Sequence, residues 1–148
     1  MSLKDTISEA TKDAMRARDK ARLATLRLIN AELKRVEVDE RIDLGDERII
    51  TILDRMLKQR RESEEQFRNA GRTELADGEL FESGVIREFM PEPLTDEALA
   101  ELIAAAISES GASGMRDMGK VMQVLRPQVQ GRADMGALSQ KVKAQLGD

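Results

Sequence analysis

Residues 114–121, GMRDMGKV, place Gly114, four residues, and then Gly119 with Lys120. That is the spacing with which a P-loop wraps backbone amides around nucleotide phosphates and sets a lysine on them. The chemistry would be phosphoryl transfer, and it makes two further demands. A strand must lead into the loop, and the residue after the lysine must be Ser or Thr to hold magnesium. Here Val121 follows Lys120, and the preceding LAELIAAAISES has the alanine content and period of a helix. No strand with a terminal Asp stands elsewhere to complete a metal site. The segment therefore reads as a loop at Gly114, a helix cap at Asp117, and a Gly119 that allows close packing at the helix start. At 100° per residue Lys120 falls opposite the Met118, Val121 and Leu125 face, toward solvent or a partner.

Other chemistries are narrower still. The chain has no histidine and no cysteine, which removes thiolate catalysis, disulfides, Cys/His metal sites and histidine acid–base work. Ser63, Ser83, Ser113 and Ser139 thus have no histidine to activate them, and none lies in a nucleophile elbow. Carboxylates are many, but they alternate with lysine and arginine at helical spacing, as surface ion pairs do. The KQRR run at 58–61 meets ESEE at once and reads as a self-compensated exposed face. No catalytic, cofactor-binding or metal-binding residue is assigned, and no cofactor is expected.

The elements that carry these residues are helices. Of 148 residues, 41% are apolar and 35% charged but only 2% aromatic, a mixture that favours helix over sheet. Ser2 caps a first helix with Leu3, Ile7 and Ala14 inward, and Leu26, Ile29, Leu33 and Val36 mark a second. After the RIDLGD turn a long helix runs from about Asp46 to Asn69, with Gly71 at its C-terminal cap. A fourth begins at Thr73 and carries Leu75, Val85, Ile86 and Phe89, with Gly78 and Gly84 weakening it. Pro91 and Pro93 then break the period. Thr95 caps the first of three shorter helices, about 96–109, 117–126 and 135–146, with Leu94 stapled on Leu99 and Pro127 just beyond the second. The expected fold is all-α: an N-terminal bundle of about four helices over 1–90 and a small three-helix tail over 95–148.

Charge is uneven along this frame. The chain as a whole is acidic, with net charge −4. From Met115 onward, however, Arg116, Lys120, Arg126, Arg132, Lys141 and Lys143 stand against Asp117, Asp134 and Asp148. A basic end on an acidic body suits an anionic partner. The N-terminus lacks the apolar core of a signal peptide and no stretch is apolar enough to span a bilayer, so a cytoplasmic protein with no membrane partner is expected.

DMGKVM, then Leu125, Pro127 and GRAD, then a helix with Ser139, Val142, Lys143 and Leu146, resemble the YqeY-like family. That family is related to the C-terminal helical and tail region of the B subunit of the glutamyl/aspartyl-tRNA amidotransferase. MRARDKARLATLRLINAELK and LKQRRESEEQFRNAGR are similar to the family's first three helices, so the resemblance covers nearly the whole chain. Two features depart from the family: Phe89-Met90-Pro91 stands where relatives have a Tyr-Leu-Pro, and Gly78 and Gly84 interrupt a helix they keep regular.

The resemblance implies a helical bundle with a tail that holds the body of a tRNA, and a carbon–nitrogen ligase with glutamine as amido donor. The chain itself shows no amidase serine/lysine signature and no ATP site, so that chemistry would belong to partner subunits. Stacking of single-stranded RNA needs exposed aromatics, and Phe67, Phe81 and Phe89 all sit at core-like positions. Structured RNA is held instead by shape, phosphate and 2′-hydroxyl contacts. Lys120, Gly131, Arg132, Lys141 and Lys143 are the candidate contacts, with glycines at 119, 131 and 136 letting backbone amides approach phosphates. The expected partners are tRNA and either amidotransferase subunits or an aminoacyl-tRNA synthetase. Two other readings remain: an amidotransferase component active only with partner subunits, and a protein–protein adaptor that uses the acidic bundle without RNA.

Overall fold

The Ser2 hydroxyl accepts a hydrogen bond from the Asp5 amide at 3.1 Å and so starts the first helix, α1, Leu3–Arg16, with Ile7 and Ala14 buried. Arg18 turns the chain with a left-handed φ of 57°, and the Asp19 carboxylate then caps α2, Lys20–Glu40, by accepting from the Arg22 amide. Leu26, Ile29, Leu33 and Val36 are buried at the predicted spacing. A second left-handed arginine, Arg41 with φ 55°, ends α2. Leu44 in the following turn is also buried, which the helical period did not reveal. Asp46 opens α3, Asp46–Asn69, and its carboxylate accepts the Leu3 amide at 2.9 Å, tying the start of α1 to the start of α3. Gly71, with φ 74°, lies just past the C-cap of α3 and leads to α4, Thr73–Arg87.

The computed structural model describes residues 1–147 and divides into two compact units, Met1–Met90 and Pro91–Asp148. In the first unit α1 packs chiefly on α2 and α3 chiefly on α4, with α2 also against α4. Ile7, Leu26, Ile29, Ile49, Leu53 and Ile86 are its fully buried centre. No strand occurs among the described residues, and the fold is all-α.

The fourth helix forms from Thr73 as expected, while three expectations in this unit change, at Leu75, Phe81 and Arg60. α4 runs unbroken through Gly78 and Gly84, because its packing on α3 offsets a propensity cost of about 1 kcal/mol per glycine. A Cβ at either glycine would meet nothing within 4 Å, so neither is there for packing inside the unit. Leu75 and Phe81 are not buried: each is 47% exposed, while Phe89 is buried and Phe67 half-buried. Arg60 does not lie on a self-compensated face. Its side chain is only 14% exposed and its Nε donates to Glu82 Oε2 of α4 at 2.9 Å, and Arg68 likewise reaches Asp77 as well as Glu64.

In the second unit the Thr95 hydroxyl accepts from the Ala98 amide and begins α5, Asp96–Ser110, which Gly111 ends at φ 70°. A single 3-10 turn, Met115–Asp117, precedes α6, Met118–Val129, and Asp134 caps α7, Met135–Leu146, by accepting from the Ala137 amide. Leu99 and Ile103 meet Val121, Leu125, Leu138 and Val142 in one aliphatic core, with Leu94 packed against it. Pro127 lies inside α6 rather than beyond it. The cost is small because both Pro127 and Gln123, whose carbonyl loses its helical donor, are exposed to water. Continuing the helix brings Val129 into the core, where it is fully buried.

A reciprocal clasp closes the start of this unit. The Leu94 amide donates to the Arg132 carbonyl at 2.9 Å, and Arg132 Nε donates to the Glu92 carbonyl at 3.0 Å. Replacing Arg132 by Ala should therefore cost about 1 kcal/mol in a denaturant titration, whereas Lys120→Ala should change stability by less than about 0.5 kcal/mol. A second measurement bears on Glu79 of α4, whose carboxyl is raised above its ordinary range by burial and by the Glu82 carboxylate, against the pull of Arg60. A raised folded value means that the charged form costs stability above that value, and that the cost vanishes below the unfolded value. Glu79→Gln should thus raise the melting temperature at pH 7, and the gain should shrink to nothing as the pH falls through the carboxylate range. Equal gains at both ends would contradict this.

Candidate nucleic-acid interface

The GMRDMGKV segment is built from a loop, one 3-10 turn and the first turn of α6. It follows α5, not a strand, so its amides are not arranged as a phosphate-wrapping loop between sheet and helix. Asp117 stands at the N-cap of α6 but does not cap it with its side chain. Its Oδ2 instead accepts from the Ser113 amide at 3.0 Å and from the Ser113 hydroxyl at 3.3 Å. The Ser113 amide, helped by Lys120 and Arg116, holds the Asp117 carboxyl below its usual range. The first turn of α6 has no side-chain cap; the 3-10 turn runs straight into it, and the Met118 amide donates to the Met115 carbonyl. Gly119 lies in that turn, exposed, and a Cβ there would meet nothing, so the close-packing reading of this glycine does not hold.

Lys120 projects from the same turn with 70% of its side chain exposed, and its Nζ lies 3.8 Å from Asp117 Oδ1. This is a loose pair, already at the outer limit of an ion contact. Gly131 and Arg132 lie past the opposite end of α6, so at 1.5 Å per residue the helix separates them from Lys120 by about 15 Å. The left-handed Gly131, φ 74°, makes the turn that aims Arg132 at the Glu92 carbonyl. Lys141 turns to the same segment, where its Nζ meets Asp96 Oδ1 at 2.8 Å and holds that carboxyl below its usual range. Gln145 donates to the Ala100 carbonyl one turn further on, so α7 follows α5 in the same sense. Gly136 lies under the capping Asp134 carboxylate, whose oxygen would be 3.4 Å from an added Cβ.

The five candidates therefore form two groups. Arg132 and Lys141 bond to residues of the 92–96 segment, with Gly131 making the turn that precedes Arg132. Lys120 and Lys143 are exposed, and Lys143 has no ion pair among the described residues. Arg126, exposed on α6 and likewise unpaired, belongs with them. Counting charge along the chain could flag Arg126, but only packing separates free cations from committed ones. The two described acids after Met115 are both turned to backbone amides, Asp117 to Ser113 and Asp134 to Ala137. No group of three or more acidic side chains that could hold a metal occurs among the described residues.

The model of the Yqey-like protein family matches residues 4–146. A Pyrenophora tritici-repentis protein named "Altered inheritance of mitochondria protein 41, mitochondrial" is 30% identical over 139 residues, 92% of this chain and 76% of its own. An uncharacterized protein of Schizosaccharomyces pombe is 29% identical over 91 residues, 62% of this chain and 74% of its own. No helix among the described residues is long and apolar enough to cross a membrane. With both helical units inside the match, the chain belongs to the YqeY-like family, which is related to the C-terminal region of the amidotransferase B subunit.

Proposed function

We propose that the second unit binds the sugar–phosphate surface of a structured RNA, a tRNA body, as an accessory to tRNA-dependent amidation. One observation carries the reading: α6 and α7 contain no acid, Asp117 and Asp134 just before them each accept from a backbone amide, and Lys120, Arg126 and Lys143 are exposed. The α6–α7 part of this unit thus carries net positive charge on a chain that is acidic overall. No aromatic residue occurs in this unit, which suits backbone contact rather than base stacking. Kinship with the amidotransferase tail supports tRNA as the RNA. Glutamine hydrolysis and amide transfer, in this reading, belong to partner subunits. The cytoplasm is the expected compartment. The Pyrenophora relative is mitochondrial by its name, and fractionation of cells expressing a tagged chain decides between the two.

The test is salt-dependent binding of total tRNA. Each lost phosphate contact should flatten the log–log salt slope by roughly 0.7–0.9. The triple change Lys120→Glu, Arg126→Glu and Lys143→Glu disturbs only the loose Lys120–Asp117 pair and should weaken binding at 50 mM salt by at least about ten-fold. A control triple at exposed positions of α3, Arg55→Glu, Lys58→Glu and Arg61→Glu, should weaken it far less. Equal losses from the two triples, or no salt-sensitive binding by the unaltered protein, would defeat the reading. Glutamine-dependent amidation of mischarged tRNA by the chain alone would assign it the chemistry as well.

A further inference from the structure

Glu74, Asp77, Phe81, Gly84 and Glu88 recur at steps of three, four, three and four, and so share one outward stripe of α4 with Leu80 on its edge. Leu80 and Phe81 are about half exposed, at 51% and 47%. Beside them lies a groove of about 340 Å³, between Leu80, Phe81, Gly84 and Val85 of α4 and Asp19 and Arg22 of α2. Gly84 is its floor. A glycine inside a helix costs about 1 kcal/mol relative to alanine, and here nothing in the unit lies within 4 Å of where a Cβ would be. The bare backbone leaves room for something from outside to approach closely.

Charge around the groove narrows what that is. Arg22 is paired with Glu88, Asp77 with Arg68, and Asp19 is engaged in capping α2. Uncompensated charges are Arg18 and Lys20 at the α2 end, Arg87 beside them in the last turn of α4, and Glu74 at the far end of α4. The complement is an amphipathic helix with apolar side chains at its centre and an acid toward one end. α4 itself has that description. We infer that two copies of this chain associate about a two-fold axis through α4, antiparallel, each inserting Phe81 into the other's groove over Gly84.

In that arrangement residue i of one copy meets residue j of the other and the reverse. Running antiparallel, Glu74 of one copy falls at the Arg18–Lys20 corner of the other. One helix face with two half-exposed apolar side chains falls below the roughly 1,200 Å² of a standard stable interface, so the pair is weak. Its dissociation constant should lie between about 10 and 500 µM, or about 4.5 to 7 kcal/mol.

Sedimentation equilibrium of the full chain from micromolar to millimolar concentration reads this directly. Gly84→Leu adds a good helix former in open space, so it should keep or raise the melting temperature while abolishing the dimer. Glu74→Lys and Lys20→Glu should each raise the dissociation constant at least about five-fold, because the two-fold repeats each contact. Mixing the two charge variants should restore it to within about three-fold of the unaltered protein, since each repelling pair then meets an opposite charge. Recovery on mixing cannot come from misfolding. A monomer at every concentration, a dimer indifferent to Gly84→Leu, or a mixture that does not recover would overturn the inference.

Discussion

Both units depend on burying aliphatic side chains at helical spacing without large rings to help. Three phenylalanines and no Trp or Tyr leave Ile, Leu, Val, Met and Ala to exclude water, and only Phe89 is buried. Cores of this kind close only when several helices contribute a stripe each. That is why α1 and α2 need α3 and α4 around Ile29 and Leu53, and why α5, α6 and α7 share Ile103, Leu125 and Val142. It also explains the extended α6, whose last turn accepts a proline because Val129 gains burial there.

The charges follow from that packing. Helices this short and numerous have many ends, and each end leaves amides without partners. Ser2, Asp19, Thr95 and Asp134 cap four of them, while Asp46 and Asp117 hold amides of Leu3 and Ser113 across turns. Carboxylates used in this way are held against the backbone rather than in close ion pairs with neighbouring cations. In α6 and α7 the result is a set of solvent-facing cations on a chain that is acidic overall, the feature on which an RNA-binding reading rests. In α4 the ion pairs work the other way. Arg22–Glu88 and Arg68–Asp77 neutralise the flanks and leave Leu80 and Phe81 as an apolar centre.

Much of this was legible in residue order. Period and caps located every α-helix to within a few residues, and the helical period before Gly114 together with Val121 after Lys120 argued against a P-loop. The fourth helix forms from Thr73 as expected, its two glycines offset by packing on α3. Equally, an apolar residue on a helix is not thereby a core residue. Phe81 stands on the outward stripe of α4, and Leu75, though on the side of buried Ile86, is still 47% exposed in the first turn.

What the sequence determined by itself was the helical class, the break at Pro91 and Pro93, the caps, and the exclusion of thiol, histidine and P-loop chemistry. These are local matters: φ restriction, a hydroxyl three residues from an amide, the presence or absence of a functional group. Only the tertiary structure decided which cations are free. Arg132 and Lys141 read like Lys120 and Lys143 in the chain. The first two spend their donors on Glu92 and Asp96, some 40 and 45 residues away, while the other two point to water. Whether a charge is committed depends on what lies within about 3 Å in space, and spacing along one helix cannot supply that distance.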